Sequence, residues 1–536
     1  MAGKSTWSMA AMVGLLPFAS PTAGLAQQGD QPAAANSPLV EIVVTARRRE
    51  EKLQSVPVAV TAFNQAAISE HEIQDGADLM RLVPSLFANS PTGNGLGFSI
   101  RGQGGGFGGS PGVVSYFAEV PIGAGTGIGL YYDLDNVQVL KGPQGTLFGR
   151  NTTGGAVLFE PKKPTNDFEG YFQETIGDYN WFEEQGAINV PVIDDALLVR
   201  FAVDRKTRDG YTIDRGPYFP GRDYDNVDYW AARLSVTIRP TDNFETYTMI
   251  NSYYDDDHGP GTQLSVLNPN FPIGGPTFPL RKLYPGHVAF FAAQQAAGPR
   301  STAFSTDNAF LRWNYGITNI TRWDITDDLT FRNISSDNVS KSYTRWDVDG
   351  SAFPLLDNIF GNGNWYNMPT AVYTEEPQLQ GRSFGEKLNW VTGLFYEYDH
   401  PTGYSVNVVN EFLGLLPSDP LFNPNQSQTK YKAAFAQATY DLSSLSPFLE
   451  GIHVTAGYRY SWIHVSSFAS QYFPNGKCAQ RTGFRIPNCT LAGSGDFAHG
   501  TYTFSVDYQI TPDTLVYVSD ATGFKQGGFN SLVERI

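Results

Sequence analysis

Few groups of residues in this 536-residue sequence have the residue types and the spacing that a metal, phosphate-binding or catalytic site requires. Residues 255–258 read Asp-Asp-Asp-His, but no further ligands follow at the spacing of a metal site. We interpret the run as a solvated acidic loop, with a metal site as the alternative. The glycine-rich run at 102–109 lacks the strand–loop–helix context of a phosphate-binding loop. Because neither a nucleophile elbow nor a paired-histidine motif occurs, we expect no enzyme, no catalytic residue, no metal site and no cofactor.

Charge and the N-terminal segment narrow the class of protein. The sequence has 37 Lys and Arg against 53 Asp and Glu, a net charge of −16, which argues against a nucleic-acid partner. Lys4, an apolar run over residues 9–19 and the small residues at 24–26 predict a secretory signal peptide over 1–26. No other segment approaches the roughly 18 apolar residues of a membrane-spanning helix. An exported chain of this kind can still lie in a membrane if it forms a closed β-barrel.

From residue 168 onward the sequence alternates between short turns and long polar connections. Short turns are expected at 193–195, 241–243, 326–328, 385–387 and 511–513, and long connections near 208–226, 255–304, 346–373, 401–429 and 467–499. Within the strands the period is two, as in Trp230, Leu234 and Ile238 against Arg233 and Arg239. A soluble sandwich with one wet face is the alternative. Alternating loop length and the signal peptide favour a transmembrane barrel of about 13 strands with a polar lumen.

The two cysteines, Cys478 and Cys489, fall within one of the long connections. The alternation of connections places that loop outside the cell, which is an oxidising compartment. Two cysteines in an exported chain are more often a disulfide than a pair of metal ligands. The sequence therefore predicts a Cys478–Cys489 disulfide.

Three motifs occur in order before the strand-rich region: EIVVTA at 41–46, SIRG at 99–102 and DLDNVQVLKGPQGTLFGRNTTGGAVLFE at 133–160. Together they resemble the TonB-dependent outer-membrane receptors, in which a globular plug fills a large β-barrel. The resemblance implies a mainly β fold with four parts. These are a signal peptide at 1–26, a flexible linker with the energy-coupling box at 27–47, an α/β plug domain at 48–164 and an antiparallel transmembrane β-barrel at 165–536. Because barrels of this size class have about 22 strands, the 13 predicted here imply an incomplete, C-terminally truncated barrel.

The resemblance assigns residues 41–46 to the energy-coupling box, which pairs edge-on with a periplasmic TonB-type protein. The box comprises Glu41, Ile42, Val43, Val44, Thr45 and Ala46. It follows a polar, Pro- and Ala-rich linker, so we expect a strand that solvent and a partner can reach. An ordinary first strand of the plug is the alternative.

The same resemblance assigns roles inside the plug. In the family, an arginine in each of two motifs faces barrel carboxylates; here these positions are Arg101 and Lys141, so the plug–barrel lock is expected to be softer. Glycines of the motifs should serve close backbone approaches and positive φ. This structural set is Gly102, Gly142, Pro143, Gly145, Gly149, Gly154 and Gly155. Ligand is expected near Phe107 and Tyr116, at the plug apex.

The predicted function is active uptake of a scarce nutrient across the outer membrane of a Gram-negative cell. A ferric siderophore or similar metal chelate is one ligand class; cobalamin, oligosaccharides and aromatic compounds stay open. The expected partners are a TonB-type energy-transducing protein, outer-membrane lipid and the small ligand, with no nucleic acid. The alternatives are a passive porin-like channel, a signalling receptor, and a truncated receptor without function.

Overall fold

A computed structural model describes most of the chain. The described residues are 43–49, 51–88, 97–104, 110–123, 130–268, 270, 286–353, 356–360, 367–403, 405–411, 421–470, 472, 476, 478 and 489–528. The predicted signal peptide, Glu41 and Ile42 of the coupling box, and Phe107 lie outside the described residues.

The N-terminal part folds as an α/β unit, which we call the plug. Its elements are β1 (Val43–Val44), β2 (Glu51–Lys52), β3 (Val60–Asn64), α1 (Gln65–Glu70), α2 (Gly76–Leu82), β4 (Leu86–Ala88), β5 (Phe98–Ile100), β6 (Val113–Phe117), β7 (Val120–Ile122), β8 (Leu134–Lys141) and β9 (Gly155–Pro161). A five-stranded sheet runs in the order β3-β8-β9-β6-β7, with β6 and β9 parallel and the other pairs antiparallel.

Local sequence explains where the plug helices begin. The Asn64 side chain accepts a hydrogen bond from the Ala67 N–H at the start of α1. Asp75 and Asp78 form a capping box at the start of α2, which satisfies N–H groups that a helix leaves unpaired. The core beneath the sheet is apolar and buried, and includes Ile73, Leu79, Val137, Val139, Val157 and Phe159.

The remaining elements follow in chain order. They are β10 (Glu169–Gly177), β11 (Trp181–Ile193), β12 (Leu197–Arg208), β13 (Thr212–Asp214), β14 (Asp223–Tyr224), β15 (Val227–Thr241), β16 (Phe244–Asp257), α3 (His287–Ala296), β17 (Ser301–Thr302), β18 (Ala309–Thr326), β19 (Leu329–Asp347), β20 (Leu356–Phe360), β21 (Asn367–Ser383), β22 (Leu388–Pro401), β23 (Ser405–Glu411), β24 (Leu421–Asp441), β25 (Ile452–Ser470), β26 (Thr490–Thr511) and β27 (Thr514–Ala521).

Fifteen of these strands form one antiparallel sheet that begins at β10 and ends at β27. Two of the fifteen, β20 and β23, are short strands that pair with each other beside the ends of β19 and β24. The other 13 succeed one another in the sheet, which confirms the predicted number. Within the described residues β10 pairs only with β11 and β27 only with β26. No helix in the described part of the chain is long and apolar enough to cross a membrane.

Side chains alternate across this sheet as the sequence predicts. Along β15, Tyr229, Ala231 and Arg233 are buried, while Trp230 and Leu234 are exposed. We call the buried side the lumen face, because its side chains contact the plug. The five short turns predicted from the sequence all connect adjacent strands. One connection at the opposite end, residues 178–180 between β10 and β11, is also short.

The acidic run at 255–257 was wrongly interpreted as a solvated loop. It lies in β16, where Asp255 and Asp257 are almost fully buried on the lumen face. Arg312 on β18 forms ion pairs with both carboxylates, at 2.8 and 3.0 Å. The barrel strands extend further than their apolar part, so polar residues that resemble a loop continue the sheet.

Candidate functional site

The described part of the predicted coupling box is docked onto the plug. Val43 and Val44 form β1, which pairs with β2 as a small hairpin. Val44 and Ala46 are 0% and 1% exposed and belong to an apolar cluster with Leu140 and Leu158 of the plug sheet. The expected solvent-reachable strand is therefore wrong for these two side chains. The apolar face of the segment is buried against the plug, whereas Val43 is 45% exposed.

Thr45 is bound through both its backbone and its side chain. Its backbone N–H donates to Oε1 of Gln138 (3.1 Å), and Nε2 of Gln138 donates to the Thr45 hydroxyl (3.2 Å). The same hydroxyl donates to Oε1 of Glu160 (3.0 Å). Gln138 lies on β8 and Glu160 on β9, so both are held by the central sheet. We call Thr45, Gln138 and Glu160 the Thr45 clasp.

The charge state of the clasp is set by its surroundings. Burial and the negative charge of Glu119 raise the pKa of Glu160 to about 7. Lys163, Arg332 and the Thr45 hydroxyl oppose that rise. Glu160 therefore titrates near neutral pH, unlike an ordinary glutamate.

Arg48, just after the coupling box, joins three parts of the molecule. Its Nη1 donates to the Glu119 carbonyl oxygen in the turn between β6 and β7 (2.8 Å). Its Nη2 donates to Oε2 of Glu376 on the lumen face of β21 (3.4 Å). The guanidinium also lies over the Phe148 ring, 4.7 Å from its centroid. One buried side chain thus links the coupling segment, the plug and the barrel wall.

The neighbouring Arg47 reinforces this attachment. Two of its nitrogens, Nε and Nη2, donate to the Glu51 carboxylate at 2.7 and 2.5 Å, closing the hairpin that contains the coupling segment. Its third nitrogen, Nη1, donates to the Thr439 hydroxyl on β24 (3.3 Å). A paired guanidinium of this kind combines a charge with a fixed geometry.

Three further ion pairs, which we call the plug–barrel ion pairs, hold the plug. They join Asp133 to Arg200, Glu119 to Arg332 and Arg150 to Glu397. Arg200 is bidentate on Asp133, at 2.8 and 2.5 Å. Burial disfavours ionised Glu119, but Arg332, Arg48 and Lys163 together outweigh burial and lower its pKa to about 2. The plug therefore contributes both carboxylates and a guanidinium to these contacts.

The lock predicted at Arg101 and Lys141 is wrong within the described residues. Arg101 is exposed, and neither cation forms an ion pair with a barrel carboxylate there. Both line a cavity of about 390 Å³ whose barrel wall includes Thr503, Ser505, Ser519 and Asp520. The Asp520 carboxylate accepts a hydrogen bond from the Tyr502 hydroxyl (3.0 Å). Partial burial and the nearby charge of Arg101 lower the pKa of Lys141.

The motif glycines occupy tight positions in the plug. Gly155 has a φ of +144°, and a Cβ there would lie 2.0 Å from the Leu140 carbonyl oxygen. A Cβ on Gly145 would lie 2.5 Å from the Thr522 carbonyl oxygen, beyond the end of β27. Both positions exclude a larger residue. Of the other predicted structural residues, one follows β5 and the rest lie in the connection between β8 and β9. They are Gly102, and then Gly142, Pro143, Gly149 and Gly154.

Tyr116 is a core residue, so its predicted role in ligand binding is wrong. It is 2% exposed, its hydroxyl donates to the Phe148 carbonyl oxygen (2.7 Å), and its ring packs edge-on against Phe148. A cavity of about 240 Å³ instead lies between the β6–β7 hairpin and the lumen face. Its barrel side includes Asn251, Asn314 and Asn338. Sequence reasoning missed these residues because lumen-facing amides look like ordinary strand alternation.

Comparison with known proteins decides the family. A family model described as the TonB-dependent receptor plug domain matches residues 52–156. A second, described as a TonB dependent receptor-like β-barrel, matches residues 241–534, which is more than half of the chain. The chain belongs to the TonB-dependent receptors. The resemblance, the mainly β plug-and-barrel fold and the outer-membrane location predicted from the sequence are thereby confirmed.

Several TonB-dependent receptors are distant relatives. The pesticin receptor of Yersinia pestis is 22% identical over 505 residues, which cover 91% of this chain and 64% of that protein. The catecholate siderophore receptor Fiu of Escherichia coli K12 is 26% identical over 412 residues, covering 70% of this chain and 48% of Fiu. This chain thus spans less than two thirds of the length of either relative.

Solved structures show the same fold. The ferric yersiniabactin uptake receptor FyuA from Yersinia pestis has a TM-score of 0.69 at 18% identity, covering 89% of this chain and 66% of FyuA. The open form of the ferric-catecholate import receptor Fiu from E. coli K12 has a TM-score of 0.65 at 16% identity. That match covers 89% of this chain and 71% of the Fiu chain.

In this receptor the two cysteines lie together between β25 and β26. Cys478 and Cys489 form a disulfide with a Cα–Cα distance of 5.0 Å, within the usual range for such bonds. The bridge joins two positions that are 11 residues apart in the sequence.

Proposed function

We propose that this receptor takes up an iron chelate across the outer membrane, energised by a periplasmic TonB-type protein that pulls on residues 41–46. The observation that carries the proposal is the coupling segment: a short β-strand, docked on the plug, that leads directly into Arg48. Related receptors are named for pesticin and for catecholate siderophores, and a structural neighbour for ferric yersiniabactin. Those names support the ligand class.

The segment has the form that strand pairing requires. Among the described residues β1 pairs only with β2, so no strand occupies its second edge there. In such pairing the backbone supplies the hydrogen bonds and alternate side chains supply specificity. Val43, the exposed member of the strand, is the side chain that a partner would contact first.

The contacts after the segment define what a pull would move. Arg48 is fixed to the Glu119 carbonyl and to Glu376, so force on residues 41–46 reaches the β6–β7 turn and the barrel wall together. The cavity lined by Asn251, Asn314 and Asn338 lies against the same β6–β7 hairpin. A displaced Arg48 would therefore loosen the hairpin that forms one wall of that cavity.

The test is a proline in the coupling segment. Val43→Pro removes a backbone donor and fixes φ, so edge pairing fails while the plug core stays intact. We expect energised uptake of the iron chelate to fall to the level of cells without the coupling protein. Surface binding should stay within about twofold of the original receptor.

The matched control is Val43→Thr, which keeps the donor and the β-propensity and should transport normally. Uptake of radiolabelled ferric chelate is measured in parallel with binding to de-energised cells. Unchanged uptake by the proline variant would show that residues 41–46 are not the coupling peptide. Equal binding of iron-loaded and iron-free chelates would remove the ligand class from the proposal.

A further inference from the structure

We propose that Gln138 and Glu160 are positioning residues that hold Thr45 and set how readily the coupling segment leaves the plug. The inference rests on the proposed function only in taking residues 41–46 as the segment that a partner engages. The Thr45 clasp itself is a feature of the structure.

The geometry of the clasp selects a hydroxyl-bearing residue at position 45. Gln138 is fully buried, and its Nε2 also donates to Oδ1 of Asn136 (2.8 Å), which fixes the orientation of its amide. The amide can then accept from the Thr45 N–H and donate to the Thr45 hydroxyl at once. The hydroxyl has one proton, and that proton points to Glu160. Valine at this position would satisfy only the backbone contact.

The clasp differs in kind from the other contacts of the segment. Val44 and Ala46 are held by apolar burial, which has no preferred direction. The hydrogen bonds of Thr45 to Gln138 and Glu160, in contrast, form only when the segment lies at one position along the plug sheet and at one distance from it. Leaving the clasp exposes these groups to water or leaves them unpaired, and an unpaired buried polar group is unfavourable.

Release of the segment can therefore occur in two stages. Thr45 is three residues from Arg48, and its carbonyl oxygen accepts a hydrogen bond from the Arg48 backbone N–H (2.9 Å). The contacts of the Arg48 guanidinium with Glu119 and Glu376 do not involve the clasp side chains. If the clasp opens first, residues 43–46 become accessible while Arg48 stays in place. The clasp then governs how often a partner finds the segment free, and Arg48 governs which parts of the plug and barrel move during the pull.

The experiment measures docking directly, in the full-length receptor in detergent micelles without any partner. A nitroxide label is attached to Val43→Cys, since Val43 is exposed and the native cysteines are joined in a disulfide. The ratio of mobile to immobile label in the electron paramagnetic resonance spectrum reports undocking. Thr45→Val and Glu160→Leu should each raise that ratio about 10-fold, because each removes the hydrogen bond between the Thr45 hydroxyl and the Glu160 side chain.

Two controls distinguish the clasp from general loosening. Thr45→Ser keeps the hydroxyl and should match the starting receptor within about twofold. Gln144→Leu removes a plug glutamine whose Nε2 donates to the Gly142 carbonyl oxygen (3.4 Å) and not to the clasp, and it should also leave the ratio unchanged. Thr45→Val lies in the docked segment rather than the core, so it remains informative if Glu160→Leu weakens the plug.

Ratios within twofold of the starting value for both Thr45→Val and Glu160→Leu would overturn the clasp. So would an equal rise in Gln144→Leu. The spectra are recorded without an energy source and without a partner protein. Normal uptake by Val43→Pro would therefore refute the proposed function and leave the measured docking of the segment unaffected. Conversely, unchanged spectra would refute the clasp while the uptake assay still tested the function.

Discussion

The ion pair between Asp133 and Arg200 offers the sharpest test of the contacts that hold the plug. Both side chains are almost fully buried, at 1% and 2% exposure, and they form two parallel hydrogen bonds. Asp133 has a φ of +48°, a conformation that asparagine tolerates better than alanine. Asp133→Asn therefore removes the charge while keeping the shape and the backbone.

The expected magnitude follows from burial. Removing one partner of a buried ion pair usually destabilises a protein by about 3–5 kcal/mol, because the other charge is left uncompensated. Arg200 keeps one hydrogen bond to the new amide and a 3.5 Å contact with Glu169, whose side chain is 37% exposed. An exposed partner of that kind contributes at most about 1 kcal/mol. We therefore expect a loss of roughly 2–3 kcal/mol.

Hydrogen exchange of β8 is the suitable assay, because that strand follows Asp133 directly and is buried in the plug. A loss of roughly 2–3 kcal/mol accelerates exchange about 30- to 150-fold when opening and closing are fast compared with the exchange step. Glu169→Gln, which removes the exposed partner of the same arginine, should accelerate exchange less than about fivefold. Equal rates in the two variants would refute the claim that burial decides the strength of these pairs.

Two further predictions concern the plug interior. Gly155→Ala should destroy the protease resistance of the plug, since its Cβ would lie 2.0 Å from the Leu140 carbonyl oxygen. The control is Gly102→Ala, whose Cβ would meet open space at a φ of +77° and which should lower the free energy of unfolding by only about 1–2 kcal/mol. Equal resistance to trypsin in both variants would contradict this reasoning. The pKa of Glu160 is raised from 4.5 to about 7, so its stabilising contribution, up to about 3 kcal/mol, is full below pH 4.5 and is lost as the pH rises through 7. Melting temperatures between pH 5 and 8 should therefore fall less steeply for Glu160→Gln, and parallel curves would show that another group titrates.

Much of the fold could be predicted from the sequence because it depends on short-range patterns. Alternation with period two marked the barrel strands, and Asp-, Thr- and Gly-rich pairs marked the five short turns. Lengths were less predictable. The polar ends of strands such as β16 and β24 were predicted as parts of long connections, although backbone pairing continues there.

The plug–barrel contacts could not be predicted in the same way, because their partners are far apart in the sequence. Arg48 contacts Glu376 across 328 positions, and Arg332 contacts Glu119 across 213. A family motif indicated Arg101 and Lys141 instead, but within the described residues neither cation forms an ion pair with a barrel carboxylate. Charge pairing depends on which strand faces which turn, and no local pattern records that.

The docking of the coupling segment shows why accessibility was also misjudged. A polar linker before residues 41–46 suggests a free strand, yet Val44 and Ala46 present an apolar face that the plug sheet can bury. The order of these contacts along the chain then decides which of them breaks first when the N-terminus is pulled. A pull from the N-terminus meets the β1–β2 hairpin and the Thr45 clasp before it reaches Arg48. Of the plug–barrel ion pairs, Glu119–Arg332 adjoins Arg48, which donates to the Glu119 carbonyl oxygen, whereas the pairs of Asp133 and Arg150 lie on other segments of the plug. Small local contacts can thus yield one after another while the plug as a whole stays anchored.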